Sequence, residues 1–168
     1  VELLKITNPN WLTVIAPRIN DYAKHLKGLH IKYENLYSYI ASSIQSAHLQ
    51  NLEYDIYEFW VVLYEGEPKA FAAWLRRPLP HIGKVYLDGI YSWSKSSNAV
   101  NILLDQFIEF GKQHRSTVYE AGCLNDKLFR LFQKYANEKG YDWQNTGLIH
   151  CIGLKKEVKD EDLSKSKD

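Results

Sequence analysis

Three stretches of this 168-residue chain predict an α/β fold. Leu87 to Leu104 begins as an alternating strand and passes through a polar loop, Ser92 to Asn98. It then continues through Ala99, Val100, Leu103, Leu104, Phe107 and Ile108, which has the spacing of a helix. Tyr57 to Leu75 holds apolar runs on either side of Glu65, Gly66, Glu67 and Pro68, a hairpin signal. Ser116 to Leu124 followed by Lys127 to Glu138 repeats the order of strand then helix. Strands mixed with one-sided helices bury their apolar stripes by layering helix on sheet.

Composition bounds the rest. At 45% hydrophobic the chain is long enough for a real core, and residues 1–156 read as one domain followed by a charged tail, residues 157–168. Formal net charge is +1, so no overall field argues for nucleic acid or an acidic membrane surface. No apolar run approaches about 18 residues, and VELLKITNPNW lacks a signal-peptide profile, so a soluble cytoplasmic protein is expected. Cys123 and Cys151 lie in separate strand-like segments without metal spacing, which favours buried thiols over a disulfide or a metal site.

In chain order, Val1 to Ile6 reads as a short strand closed by Asn8, Pro9 and Asn10. Trp11 to Leu29 and Tyr33 to Leu49 read as two helices parted at Gly28; Tyr33, Leu36, Tyr37, Ile40 and Ile44 form a core stripe on the second. The hairpin follows, and then an irregular link from Arg76 to His81, whose paired arginines are a weak anion signal. Lys84 to Trp93 is the pivotal strand. Alternation puts Tyr86, Asp88 and Ile90 on one face and Val85, Leu87, Gly89 and Tyr91 on the other. Asp88 is its sole carboxylate, and in an apolar sheet such a group suits a general base. The helix from Asn98 to His114 carries Asp105, Gln106, Glu109, Lys112 and Gln113 opposite its apolar stripe. Asn125 or Asp126 can cap the next helix, which stops at Gly140. Trp143 to Lys155 supplies the closing strands; His150 and Cys151 are neighbours there and point to opposite faces, which excludes a dyad.

The loop before the Asn98 helix is the main candidate site. A helix N-terminus presents free N–H groups and a positive dipole end, and Ser96, Ser97 and Asn98 add donors, so an anion can bind there; Ser97 or Asn98 acting as a plain cap is the alternative. In this strand, loop and helix the chain resembles the GNAT N-acetyltransferase superfamily. That family's pattern of Arg or Gln, two residues, Gly, one residue, and Gly or Ala falls on Lys95, Ser96, Ser97, Asn98, Ala99 and Val100. Ile90 lies on its aliphatic strand position and Leu103 and Leu104 on its helix leucines. Both glycines are replaced: Asn98 tolerates unusual dihedrals, whereas Val100 is bulky where the family keeps its backbone open.

The resemblance implies a central mixed, mostly antiparallel sheet flanked by helices, and acetyl-CoA as cofactor with no metal. The Lys95 to Val100 loop would meet the pyrophosphate, Asn125 the pantetheine arm, and the amine acceptor would enter beside the N-terminal helices near Tyr33, Tyr37, His30 and His48. Asp88 would be the base and Tyr135 the acid that protonates the departing thiolate, with Phe132 competing for the same helix slot. The expected function is acetyl transfer to an unidentified amine. The alternative is a GNAT-like binding or assembly module, at home among bacteriophage proteins, that has lost its cofactor and binds a protein partner. A nucleic-acid-modifying enzyme is the third reading, and the balanced charge offers it no basic groove.

Overall fold

Strands form where apolar residues alternate and helices where they recur at three and four. The computed structural model describes residues 1–26, 32–49, 55–122, 126–145 and 150–155. Strands β1 (Glu2–Lys5), β2 (Ile56–Tyr64), β3 (Glu67–Leu79), β4 (Lys84–Ser94), β5 (Val118–Gly122), β6 (Tyr141–Asn145) and β7 (His150–Lys155) form one sheet in the order β1-β2-β3-β4-β5-β7-β6. Among the described residues only the β4·β5 pair is parallel, so the sheet is mixed and mostly antiparallel.

Helices α1 (Leu12–His25) and α2 (Tyr33–Leu49) cover one face. Ile15, Ile19, Ile40 and Ile44 pack there on Phe59, Phe71, Tyr91 and Trp93. Helices α3 (Ser97–Gln113) and α4 (Asp126–Glu138) cover the other, where Leu103, Phe107 and Phe110 pack on Val62, Trp74 and Leu87. Each large side chain buried this way contributes about 1.5–3 kcal/mol, which is what holds two helical layers on the sheet. Gly140 ends α4 as expected, at φ 75°, a conformation glycine adopts without steric cost.

Two expectations are corrected. Arg76 to Leu79 is not an irregular link but the last part of β3, paired with Leu87 to Lys84; Pro78 removes one ladder donor without ending the strand, and the turn is a short 3-10 segment, Pro80–Ile82. The alternation of β4 also breaks. Ala73 pairs with Tyr91 while Trp74 pairs with Gly89, so Ile90 is an extra, bulged residue. Leu87 therefore packs on the α3 side and Tyr91 on the α1 and α2 side, although both were expected on one face. Gly28, His30, Cys123, Asn125 and the tail lie outside the described residues, as do the side chains of His48, His150 and Cys151.

Candidate active site

The bulge sits where the sheet opens. Parallel pairing joins Tyr86–Gly89 to Val118–Ala121 and ends there in the described residues, while β4 runs on to Ser94. Beyond Gly89 and Ala121 the two strands part, and a cleft of about 1400 Å3 fills the gap. It reaches from the α1 and α2 side, at Tyr22 and Tyr39, through the opening to Leu103, Phe107 and Leu131 on the α3 and α4 side. Asp88, Ile90, Lys95, Ser96, Ser97 and Val100 are also on its walls, so the structure gathers six of the sequence candidates in one place.

At its outer end the cleft meets the first turn of α3. Ser96 is the N-cap residue, and its side chain makes no capping hydrogen bond. Instead, the Ser94 hydroxyl donates to the Ser96 carbonyl at 2.7 Å and accepts from the Ser96 N–H at 3.0 Å, which fixes the loop without using the α3 amides that follow. The capping alternative is thus not realised by Ser97 or Asn98, which lie inside the helix. Ala99 is fully buried in the core, and Asn98 is exposed and off the cleft wall. Val100 is half-buried and on the wall. The Lys95 ammonium lies 5.8 Å from the Trp93 ring centroid and 3.9 Å from Asp21 of α1. Arg18 shares both partners, 5.6 Å from the same ring and 3.3 Å from Asp21.

The α1 and α2 side of the cleft is a tyrosine wall. Tyr91 and Tyr57 join hydroxyls in a short hydrogen bond, and Tyr22 and Tyr39 each lie 6.4 Å from Tyr91 between ring centroids. Burial pushes the Tyr22 phenol up to about 12 and raises those of Tyr57 and Tyr91 further, so all three are neutral near pH 7 and act as hydrogen-bonding groups, not bases. Asp88 is bound by the Arg77 guanidinium at 2.9 Å. The paired arginines, a weak anion signal in the sequence, are both engaged: Arg77 here, and Arg76 with the His114 carbonyl at 3.0 Å, closing the end of α3. Tyr33 and Tyr37 pack against the helical core and are not on the cleft wall.

Tyr135 is placed away from the cleft. Its hydroxyl donates to Asp105 of α3 at 2.5 Å, and Lys139 approaches the same carboxylate at 3.1 Å. Burial, then the bond to Asp105 and its charge, raise the phenol, which makes it a poor acid, while the same hydrogen bond holds the Asp105 carboxyl below its usual range. Phe132 lines the cleft, whereas Tyr135, about one turn further along α4, reaches Asp105 of α3. Tyr135→Phe is therefore expected to lower stability by no more than about 1 kcal/mol. A folded-state pKa below the unfolded one stabilises above the unfolded value and is lost as pH falls through the folded value, so this difference should fade in acid melts below about pH 4. Equal melting of the two proteins at neutral pH would remove the hydrogen bond from the account.

The sequence reading missed Arg130 and Lys134, which lie on the cleft wall from α4. Their spacing of four along one helix face was the available signal. Among the described residues no group of three or more His, Cys, Asp or Glu is placed to hold a metal ion, and no helix is long and apolar enough to cross a membrane.

No protein-family model and no curated protein matches the sequence. Solved structures do match the fold. A ribosomal-protein-alanine N-acetyltransferase from Brucella melitensis aligns with a TM-score of 0.62 at 13% identity, over 92% of this chain and 99% of that one. A predicted acetyltransferase from Clostridium acetobutylicum, solved with acetyl-CoA, aligns with a TM-score of 0.60 at 13% identity, over 88% and 93%. An acetyltransferase of the GNAT family from Staphylococcus aureus Mu50 aligns with a TM-score of 0.57 at 13% identity, over 92% and 99%. Identity this low speaks for architecture alone. The chain therefore has the fold of these acetyltransferase structures, among them a member of the GNAT family.

Proposed function

We propose that this protein transfers an acetyl group from acetyl-CoA to an amine. One observation carries the reading: the cleft between β4 and β5 ends at an α3 N-terminus that has no side-chain cap. Such a terminus fits a pyrophosphate through its amides and dipole, and Lys95, Arg130 and Lys134 bring cations to the same cleft. Acetyl-CoA supplies the activated thioester when bound. The chain would position it: the first-turn amides of α3 hold its phosphates, and the β4 edge beyond Gly89 holds its extended arm by the backbone groups that β5 leaves free. The acceptor would enter from the tyrosine wall, whose neutral hydroxyls orient it. Asp88, held in place by Arg77, would take the amine proton through water, and backbone donors at the bulge would meet charge developing on the carbonyl oxygen.

Calorimetric titration with acetyl-CoA and CoA tests this directly. Binding in the micromolar range, about −8 kcal/mol, is expected, with a several-fold loss in Lys95→Ala and a gain in Val100→Gly. No binding by the parent, with binding gained in Val100→Gly, would instead identify a GNAT-fold module whose cofactor site is closed by the valine side chain, and would turn the search to a protein partner. No binding by either protein would overturn the acetyl-CoA reading.

A further inference from the structure

Tyrosines reach the cleft from three elements: Tyr22 from α1, Tyr39 from α2 and Tyr91 from β4. Tyr91 is buried beneath the other two, each of which packs on its ring. Tyr22 is half-buried. Tyr39 is the accessible member, 54% exposed even though it meets Tyr91 edge-on. An aromatic side chain this open on a concave wall is surface that the core does not use and that a ligand can cover.

The charge of the wall narrows what that ligand can be. Among the described residues Asp88 is the only carboxylate lining the cleft, and the Arg77 guanidinium already holds it. Asp21 of α1 lies off the wall and is shared by Arg18, Lys24 and Lys95. The other ionisable side chains of the wall, apart from its tyrosines, are His25, Lys95, Arg130 and Lys134, none of them acidic. One ammonium can be met by Asp88, whereas a second positive charge on the same ligand finds no further carboxylate and meets like charge. The Trp93 ring, to which a spare cation could turn, already has Arg18 at 5.6 Å and Lys95 at 5.8 Å from its centroid.

We propose that the acceptor is a primary amine bearing one positive charge on a flat aromatic body, seated against Tyr39 and Tyr22 with its nitrogen toward Asp88. This rests on the acetyl-transfer reading and adds a substrate class to it. The ammonium first gives up one proton through water to Asp88 and so to solvent. The free amine then forms a C–N bond to the acetyl carbonyl carbon as the C–S bond breaks, and the proton that the nitrogen sheds ends on the departing sulfur, so that amine and acetyl-CoA become acetamide and CoA. Tyr39 is thereby a specificity-determining residue, because its ring offers the face and edge on which an aromatic acceptor packs better than an alkyl chain does.

Acetylation rates with three probes test the assignment: 2-phenylethylamine, hexylamine, which keeps the single charge without the ring, and 1,6-diaminohexane, which adds a second charge. On the parent protein kcat/KM should fall about 5-fold at each step in that order. Tyr39→Ala should lower kcat/KM about 5-fold for 2-phenylethylamine, hold hexylamine within about 2-fold, and leave the affinity for acetyl-CoA as in the parent; the ratio of two amines on one preparation cancels any loss of folded protein. Asn35→Asp, at an exposed wall position of α2, should raise the rate with the diamine. The probe series on the parent stands even if Tyr39→Ala does not fold. Equal rates for the three amines, a preference for the diamine, an unchanged ratio in Tyr39→Ala, or no acetylation of 2-phenylethylamine by a protein that binds acetyl-CoA would overturn the substrate class and leave the cofactor reading standing. A parent that binds no acetyl-CoA would overturn both.

Discussion

Ser97→Asp should cost roughly 30-fold in affinity for acetyl-CoA and at the same time leave the fold as stable as before, or more so. Ser97 is exposed at the first position of α3 and lies on the cleft wall. An added carboxylate about 5 Å from a phosphate, at an effective dielectric near 20, is opposed by about 3 kcal/mol, or roughly 100-fold; screening at an exposed site brings this toward the smaller figure. The same charge is favourable for the helix itself, by about 0.3–1 kcal/mol, because it faces the positive end of the dipole. Opposite signs for binding and stability separate an anion site from a structural cap. Thermal melts and calorimetry on one preparation give both numbers. Parent-like affinity in Ser97→Asp would place the phosphates elsewhere and remove the α3 terminus from the proposed site.

Gly111→Val is expected to be strongly destabilising although the position lies outside the cleft. Gly111 lies on the buried face of α3, and a Cβ there would stand 2.3 Å from Tyr119 Cε1 and 2.7 Å from its Cζ and hydroxyl. Tyr119 cannot give way cheaply: it is 5% exposed and wedged between Phe107 at 5.8 Å and Tyr141 at 5.3 Å. The glycine lets α3 approach β5 closely, and any side chain pushes helix and strand apart. Overpacking of this kind costs about 1–3 kcal/mol and more where the surroundings are rigid, so about 3 kcal/mol is expected for valine. Gly111→Ala recovers up to about 1 kcal/mol through helix propensity and should still lose roughly 2 kcal/mol, several degrees in Tm. Combining Gly111→Ala with Tyr119→Ala should cost less than the sum of the two, since the clash is shared. A Gly111→Ala protein that melts at or above the parent would show that Tyr119 relaxes freely.

Element type and order were legible in the residues. The hairpin around Gly66, the apolar stripes of α1, α2 and α3, the strand before Lys95, and the stop at Gly140 all follow from local rules, because a backbone period of two or 3.6 residues is set by the chain itself. The loop at Ser96 was legible for the same reason: a helix that begins after a polar stretch must present its first amides somewhere.

What faces the cleft was decided by packing. The bulge at Ile90 exists because β4 must match β3 on both sides of it, and that one added residue turns Tyr91 to the α1 and α2 side; alternation counted along β4 alone does not contain it. Arg77 meets Asp88 because β3 continues past Leu75 to lie beside β4, with Leu75 paired to Asp88 and Arg77 to Tyr86. Phe132 lines the cleft while Tyr135, about one turn on, bonds Asp105, and that meeting depends on how α4 is laid against α3, 30 residues away in sequence. Local periodicity determines which residues share a face, and only the partner surface determines what that face meets.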